Sequence, residues 1–152
     1  MTVKEIMTRS VISVRREDTI RDVARLLTDF RVSGLPVIDG QNRVVGMITE
    51  GDLIRFARTS QIPVILDMLG NGVYLNYEPP ASLEEQVAGV MGLKVSEVMI
   101  KRVTVIGPDA PVEEVAQIMV NRRIKRLPVV DKDNKLVGIV SRGDIVRSVM
   151  TF

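Results

Sequence analysis

Val44–Arg55 reads VVGMITEGDLIR, and Leu136–Arg147 reads LVGIVSRGDIVR. The second stretch lies 92 residues (136 − 44) after the first. Held fixed, that offset also sets Val3–Met7 (VKEIM) over Val95–Met99 (VSEVM), and Arg31–Asp39 (RVSGLPVID) over Arg123–Asp131 (RIKRLPVVD). No gap is needed from Val3 to Arg55. Roughly a third of the aligned positions are identical and most of the other apolar positions keep their apolar character, which marks a duplication of a unit of about fifty residues. Each quoted stretch places a hydroxyl three residues before an aspartate, directly after a β-like run. That pattern has two physical readings, a helix cap and a ligand seat.

Each copy follows one plan. A short apolar run, Ser10–Val14 or Arg102–Ile106, reads as a strand. A helix follows, with Ile20, Val23, Ala24, Leu26, Leu27 and Phe30 on one face, repeated by Val112, Val115, Ala116, Ile118 and Met119. Pro111 suits the first helical position, which by the offset makes Thr19 the first helical residue and Asp18 its cap. Two short strands flank the turn sequences GQNR and KDNK as hairpins, and a second helix starts at Thr49 or Ser141. One copy is too small to bury both faces of a short sheet, so two copies are expected to pack as one pseudo-symmetric α+β body. The expected divisions are 1–58 for the first repeat, 59–94 for an inserted linker and 95–152 for the second repeat. Within the linker, a helix is expected at about 82–91, with a Ser82/Glu85 capping box and Gly92 near its end.

Composition narrows the function classes. The 152 residues include no Cys and no His. That removes disulfides, thiolate sites, the commonest general base and the nucleophile triads built on His. Aromatics are 3% of the chain, so stacking shelves for single-stranded nucleic acid are not expected. A net charge of +2 does not indicate nucleic acid either. No membrane-length apolar run or leader is visible, and a cytoplasmic location is expected. Asp131 and Asp133 lack the length, Gly and final Glu of a calcium loop and read as a turn. No metal or required cofactor is expected, and no enzyme activity.

As a cap, Thr49 or Ser141 at the N-cap with Asp52 or Asp144 at the third helical position resembles a capping box, and the acid suits the positive end of the helix dipole. As a seat, the same helix start offers amide donors to a phosphate, and the aspartate accepts the two hydroxyls of a ribose. Gly46 and Gly51 would then admit a ligand close to the backbone.

The repeated unit resembles the CBS domain family, named for cystathionine β-synthase, and the tandem pair resembles its Bateman module. The similarity covers nearly all of the chain outside the linker, with V-x-E-h-M, Leu-Pro-Val-h-Asp and Gly-h-h-Thr/Ser-x-x-Asp in order, twice. It implies two βαββα repeats in pseudo-twofold symmetry, two ligand clefts between the copies, and frequent homodimerisation into a flat disk of four repeats. It further implies a regulatory module that binds AMP, ADP or ATP, or S-adenosylmethionine, and signals to an effector protein. By the family pattern the aspartate takes the ribose and the hydroxyl lies near the ribose-phosphate. The first site then comprises Ser10, Val11, Ile12, Ser33, Gly34, Leu35, Pro36, Thr49 and Asp52, with Arg126 reaching its phosphates. The second comprises Arg102, Val103, Thr104, Lys125, Arg126, Leu127, Pro128, Ser141 and Asp144. Ser33-Gly34 leaves room where Lys125-Arg126 is bulky and basic, so by the resemblance either the first site prefers the more highly charged phosphate ligand or the large side chains close the second site. The rival reading is a protein-interaction and dimerisation scaffold with degenerate sites.

Overall fold

The computed structural model describes residues 1–59, 82, 85 and 88–150. In chain order the elements are α1 (Val3–Ile6), α2 (Ile20–Asp29), β1 (Gly34–Ile38), β2 (Val44–Thr49) and α3 (Glu50–Thr59). They recur as α4 (Val95–Val98), α5 (Val112–Arg122), β3 (Arg126–Val130), β4 (Leu136–Ser141) and α6 (Arg142–Val149). The strands form two sheets of two, β1 with β2 and β3 with β4. β3 and β4 are antiparallel, with Leu127 opposite Val140 and Val129 opposite Gly138, and a register shift at Val129/Val130. Among the described residues no helix is long and apolar enough to cross a membrane.

The chain divides into two compact units. The first contains Met1–Ser13, Pro36–Gly46 and Lys101–Phe152, and the second contains Val14–Leu35 and Met47–Ile100. The units cut across the duplication, because the leading segment of each copy packs with the other copy. In the first unit Val3 N–H donates to the Ala110 carbonyl and Lys4 N–H to that of Pro108, both at 2.9 Å. Lys4 Nζ meets Asp109 Oδ1 at 2.8 Å. In the second unit Ile20 N–H donates to Leu93 O at 2.9 Å and Val95 N–H to Asp18 O at 2.8 Å.

The core of the first unit shows what this exchange achieves. Val3 from one copy joins Ile106, Val115, Met119, Leu127, Val129 and Val140 from the other in one buried cluster. Leu127 and Val129 are inward-facing alternate residues of β3, and Val115 and Met119 are one helical turn apart on α5, so both periodicities deliver their apolar face to one place. In the second unit Ile20, Val23 and Leu27 of α2 are buried with the same helical spacing. Phe30, expected on that stripe, ends the helix and is 55% exposed.

The hairpin turns share a second reciprocal device, inside the first unit. Asn42 and Asn134 both adopt left-handed backbone, with φ of 64° and 63°, which Asn tolerates better than most side chains. Asn42 Nδ2 donates to Leu136 O at 3.1 Å, and Asn134 Nδ2 to Val44 O at 3.0 Å. Asp131 spends Oδ1 on the amides of Asp133 and Lys135 at 2.9 and 3.0 Å, which makes it a turn residue.

Three local expectations shift. Ser10–Val14 and Arg102–Ile106 are not extended strands. Ile106 makes a single parallel bridge to Val129. The chain then turns at once, with Ala110 N–H on Gly107 O and, in the first copy, Asp18 N–H on Arg15 O. The cap of α2 is Thr19, not Asp18. Its hydroxyl accepts Asp22 N–H at 3.2 Å while Asp22 Oδ2 accepts Thr19 N–H at 2.9 Å. Asp18 instead accepts Arg15 N–H in that turn. By the same one-residue shift Pro111 is the N-cap of α5, and Val112 opens the helix. The linker lies largely outside the described residues, as do positions 83, 84, 86 and 87 of its expected helix. The Ser82 hydroxyl does accept Glu85 N–H at 3.3 Å.

Candidate ligand-binding site

The end of β4 and the start of α6 carry the second hydroxyl–carboxylate pair. Ser141 is the N-cap, with extended backbone at φ −120° and ψ 167°. The change from strand to helix at this residue turns Asp144 back over the start of α6. Asp144 Oδ2 accepts Ser141 N–H at 2.8 Å and the Ser141 hydroxyl at 3.1 Å, and Asp144 N–H donates to Ser141 Oγ at 3.3 Å. Asp144 Oδ1 accepts Arg147 Nη2 at 2.6 Å. The carboxylate is 8% exposed. A charge that buried is costly unless it is paired and hydrogen-bonded, and here it is both.

The first copy reproduces the arrangement apart from the bond from the hydroxyl to the carboxylate. Asp52 Oδ2 accepts Thr49 N–H at 2.9 Å, and Asp52 N–H donates to Thr49 Oγ1 at 3.2 Å. Asp52 Oδ1 pairs with Arg55. Asp52 is 6% exposed. Both arginines lie mostly in solvent, with side chains 69% and 71% exposed. The capping reading of Thr/Ser-x-x-Asp therefore describes this state of the protein, and both aspartates face their own backbone.

Amides at both helix starts are engaged within the chain. Arg142 N–H, the first of α6, donates to Lys125 O at 3.0 Å, and its counterpart Glu50 N–H donates to Ser33 O at 3.0 Å. Asp144 N–H is taken by Ser141. The expected role of glycine changes too. A Cβ at Gly51 would stand 3.2 Å from Arg55 Nη1, and one at Gly143 would stand 3.2 Å from Arg147 Nη1. At Gly138, the counterpart of Gly46, a Cβ would collide with Met7 Sδ and come 3.1 Å from Thr8 O. At Gly51, Gly138 and Gly143 the backbone makes room for the chain's own groups.

All residues of the second expected site fall in the first compact unit. The Lys125–Arg142 bond holds the segment before Leu-Pro against the helix start. Thr104 Oγ1 accepts Arg122 Nη1 at 3.1 Å. Arg102 and Lys125 are exposed, and Val103, Thr104 and Arg126 are half-buried. Leu127 is wholly buried in the core, and Pro128 is buried in the ladder beside it. Of the first expected site, Ser33, Gly34, Leu35, Thr49 and Asp52 fall in the second unit, while Ser10, Val11, Ile12, Pro36 and Arg126 fall in the first. Leu35 and Pro36 have buried side chains, and Ser10 is exposed.

Two features lie beyond the sequence reading. Arg55 and Arg147 stand in a repeated Asp-h-h-Arg, and the spacing of three residues is one that brings side chains together on a helix, a signal that could have found them. An open groove of about 400 Å³ also runs between α5 and α6, lined by Met119, Val120, Ile124, Ile145 and Val146 together with Arg123, Lys125 and Arg142. No local pattern signals it, because it depends on how the two helices meet.

Comparison with known proteins supplies a further finding. The model of the CBS domain matches residues 3–59 and again 95–151. The chain is 33% identical over 155 residues to the uncharacterised protein MJ1426 of Methanocaldococcus jannaschii, covering 99% of this chain and 92% of that protein. It spans less than two thirds of several longer curated relatives. Among solved structures, CBSX2 in complex with AMP superposes with a TM-score of 0.73 at 28% identity, over 99% of this chain and 96% of that one. The CBS domain pair of MJ0100, in complex with 5'-methylthioadenosine and S-adenosyl-L-methionine, superposes with a TM-score of 0.71 at 25% identity, over 98% and 99% of the two chains.

Proposed function

Because this chain belongs to the CBS domain family through both of its repeats, we propose that it is a non-catalytic regulatory module that binds adenine nucleotides of the AMP, ADP and ATP class. Asp144 and Ser141 are the anchor of one seat and Asp52 and Thr49 of the other. The observation that carries this reading is the recurrence of a buried carboxylate beside a hydroxyl at a helix start, on a fold shared with an AMP complex. Arg102–Thr104 and Lys125 flank the first anchor in this reading, and Ser33 and Gly34 the second. Ligand binding changes the balance between conformations by its difference in affinity for them, and an effector protein reads the change.

S-adenosylmethionine is the second reading, favoured by the MJ0100 complex. It shares the ribose but carries a sulfonium where a nucleotide carries phosphate. At the Ser141–Asp144 start the flanking residues are Lys125 and Arg142, which favour phosphate over a cation. The corresponding residues of the first repeat are Ser33 and Glu50.

The effector surface is proposed to include a second copy of the chain. Val120, Val146, Val149 and Met150 on α5 and α6 are 60–80% exposed, and an apolar face of that kind marks an association site. Sedimentation equilibrium is expected to show a dimer that Val120→Asp with Val146→Asp returns to monomer. A monomeric wild type would remove the scaffold from the reading.

The ligand class is tested by calorimetric titration of the full chain with AMP, ADP, ATP and S-adenosylmethionine. Binding of the nucleotides, tighter than the sulfonium ligand, is expected. If S-adenosylmethionine alone binds, the second reading holds. If none of the four gives heat or raises the melting temperature, the scaffold remains.

A further inference from the structure

Resting on the nucleotide reading, we propose that Arg147 is a latch that competes with the ligand's ribose for the carboxylate of Asp144. A carboxylate has about four lone-pair sites. At Asp144 three are in use: Ser141 N–H and Oγ–H on Oδ2, and Arg147 on Oδ1. A vicinal diol needs two. The two donors on Oδ2 belong to the cap and hold the start of α6 together. The donor on Oδ1 belongs to a side chain 71% exposed, free to swing into water without breaking any backbone bond. A diol therefore enters by displacing Arg147.

The latch has its own provision in the chain. Gly143 stands between Ser141 and Asp144, and a Cβ there would press to 3.2 Å on Arg147 Nη1. Without a side chain at 143, the guanidinium folds back along the helix onto the acid. Gly51 does the same for Arg55, again at 3.2 Å. Hydroxyl, glycine, aspartate and arginine at i, i+2, i+3 and i+6 thus recur in both repeats, with the hydroxyl donating to the carboxylate at Ser141, in two units that differ at neighbouring positions such as Glu50 and Arg142.

Two consequences follow for the site. The seat is selective against ligands that cannot replace the arginine with two hydroxyl donors. Occupancy also frees a guanidinium on the exposed side of α6, so binding alters the charge a partner meets there.

The test reads one seat at a time, in a full-length Asp52→Ala background. AMP and 2',3'-dideoxyadenosine monophosphate are titrated into this protein, into Arg147→Met and into Gly143→Ala. With its arginine largely in solvent the pair is worth up to about 1 kcal/mol, so loss of the latch is expected to tighten AMP by about two- to fivefold. Gly143→Ala, which keeps the arginine but crowds it, moves AMP affinity the same way. The dideoxy ligand gains nothing from either change. If Arg147→Met leaves AMP affinity unchanged or weakens it, or strengthens both ligands alike, the latch is wrong while the nucleotide site stands. If the unmodified chain binds no AMP, the nucleotide reading fails and the latch falls with it. Circular dichroism melts of each variant confirm that the folded protein is being measured.

Discussion

Asp39 shows how much one carboxylate contributes when it serves the backbone. Its Oδ1 accepts the amides of Gln41 and Arg43 at 2.8 and 2.9 Å, and Oδ2 meets Arg43 Nε at 2.9 Å. The Arg43 amide foremost holds its pKa down from 3.8 to about 2; desolvation, next in size, opposes it, and the Gln41 amide and the Arg43 side chain add to the lowering. The unfolded chain therefore takes up this proton first as pH falls. The stabilisation from Asp39 is complete above about pH 4 and is lost between there and about pH 2. Asp39→Asn is expected to lower the melting temperature at pH 5, and the gap to wild type should close as pH approaches 2. A gap that is constant with pH would mean that the turn does not depend on the charge. At this scale the sequence is a good guide to residue type. Asp, Gly and Asn mark the turns, and Thr/Ser-x-x-Asp marks the caps. It is a poor guide to side-chain direction. Nothing local distinguishes an aspartate that faces its own amides from one that faces a ligand, and the arginine on Asp52 and Asp144 depends on a glycine whose purpose appears only in three dimensions.

The elements are legible wherever their signal is periodic. α2 and α5 carry their buried residues at helical spacing, and β3 shows as a short buried apolar run around Leu-Pro-Val, so these are readable. The apolar runs before α2 and α5 mislead. Five apolar-rich residues look like a strand, but a strand also needs a partner edge, and Ile106 finds only a single rung beside Val129. The short helices α1 and α4 carry a motif but too few residues to show a period. Their stability comes from docking, since four residues are too few to hold a helix in water. Gly138 is where α1 docks: the chain after α1 pairs Thr8 with Ile139 on β4 at 2.8 and 2.9 Å, and Met7 lies over the glycine. Gly138→Ala is expected to cost about 1–3 kcal/mol, as overpacking does. Met7→Ala in the same chain should recover part of that loss, because the two sites are in contact. Urea melts of the two single variants and the double provide the cycle. Strictly additive losses would show that Met7 is not what Gly138 accommodates.

For the molecule as a whole, the duplication is plain in the sequence and its consequence is not. A constant offset predicts two like units, whereas the leading segment of each repeat is built into the unit that holds most of the other. Local pattern cannot show this, because the bond from Val3 to Ala110 joins residues with no sequence relation to each other. The exchange makes the stability of one repeat depend on the other. Val3 is fully buried, and Val3→Ala is expected to cost about 2 kcal/mol. Hydrogen exchange should then show loss of protection in α5, around Val115 and Met119, at the far end of the chain from the substitution. If protection falls only near the N-terminus, the repeats are less interdependent than the core cluster indicates. The same economy of parts underlies the proposed function, in which one strand-to-helix junction, made twice, would supply both a cap and an anchor for ribose. Its most direct test is an AMP titration by calorimetry of wild type, Asp52→Ala, Asp144→Ala and the double variant, each verified as folded. Two sites in wild type, one in each single variant and none in the double are expected; a folded double variant that binds AMP with wild-type affinity and stoichiometry would contradict the account.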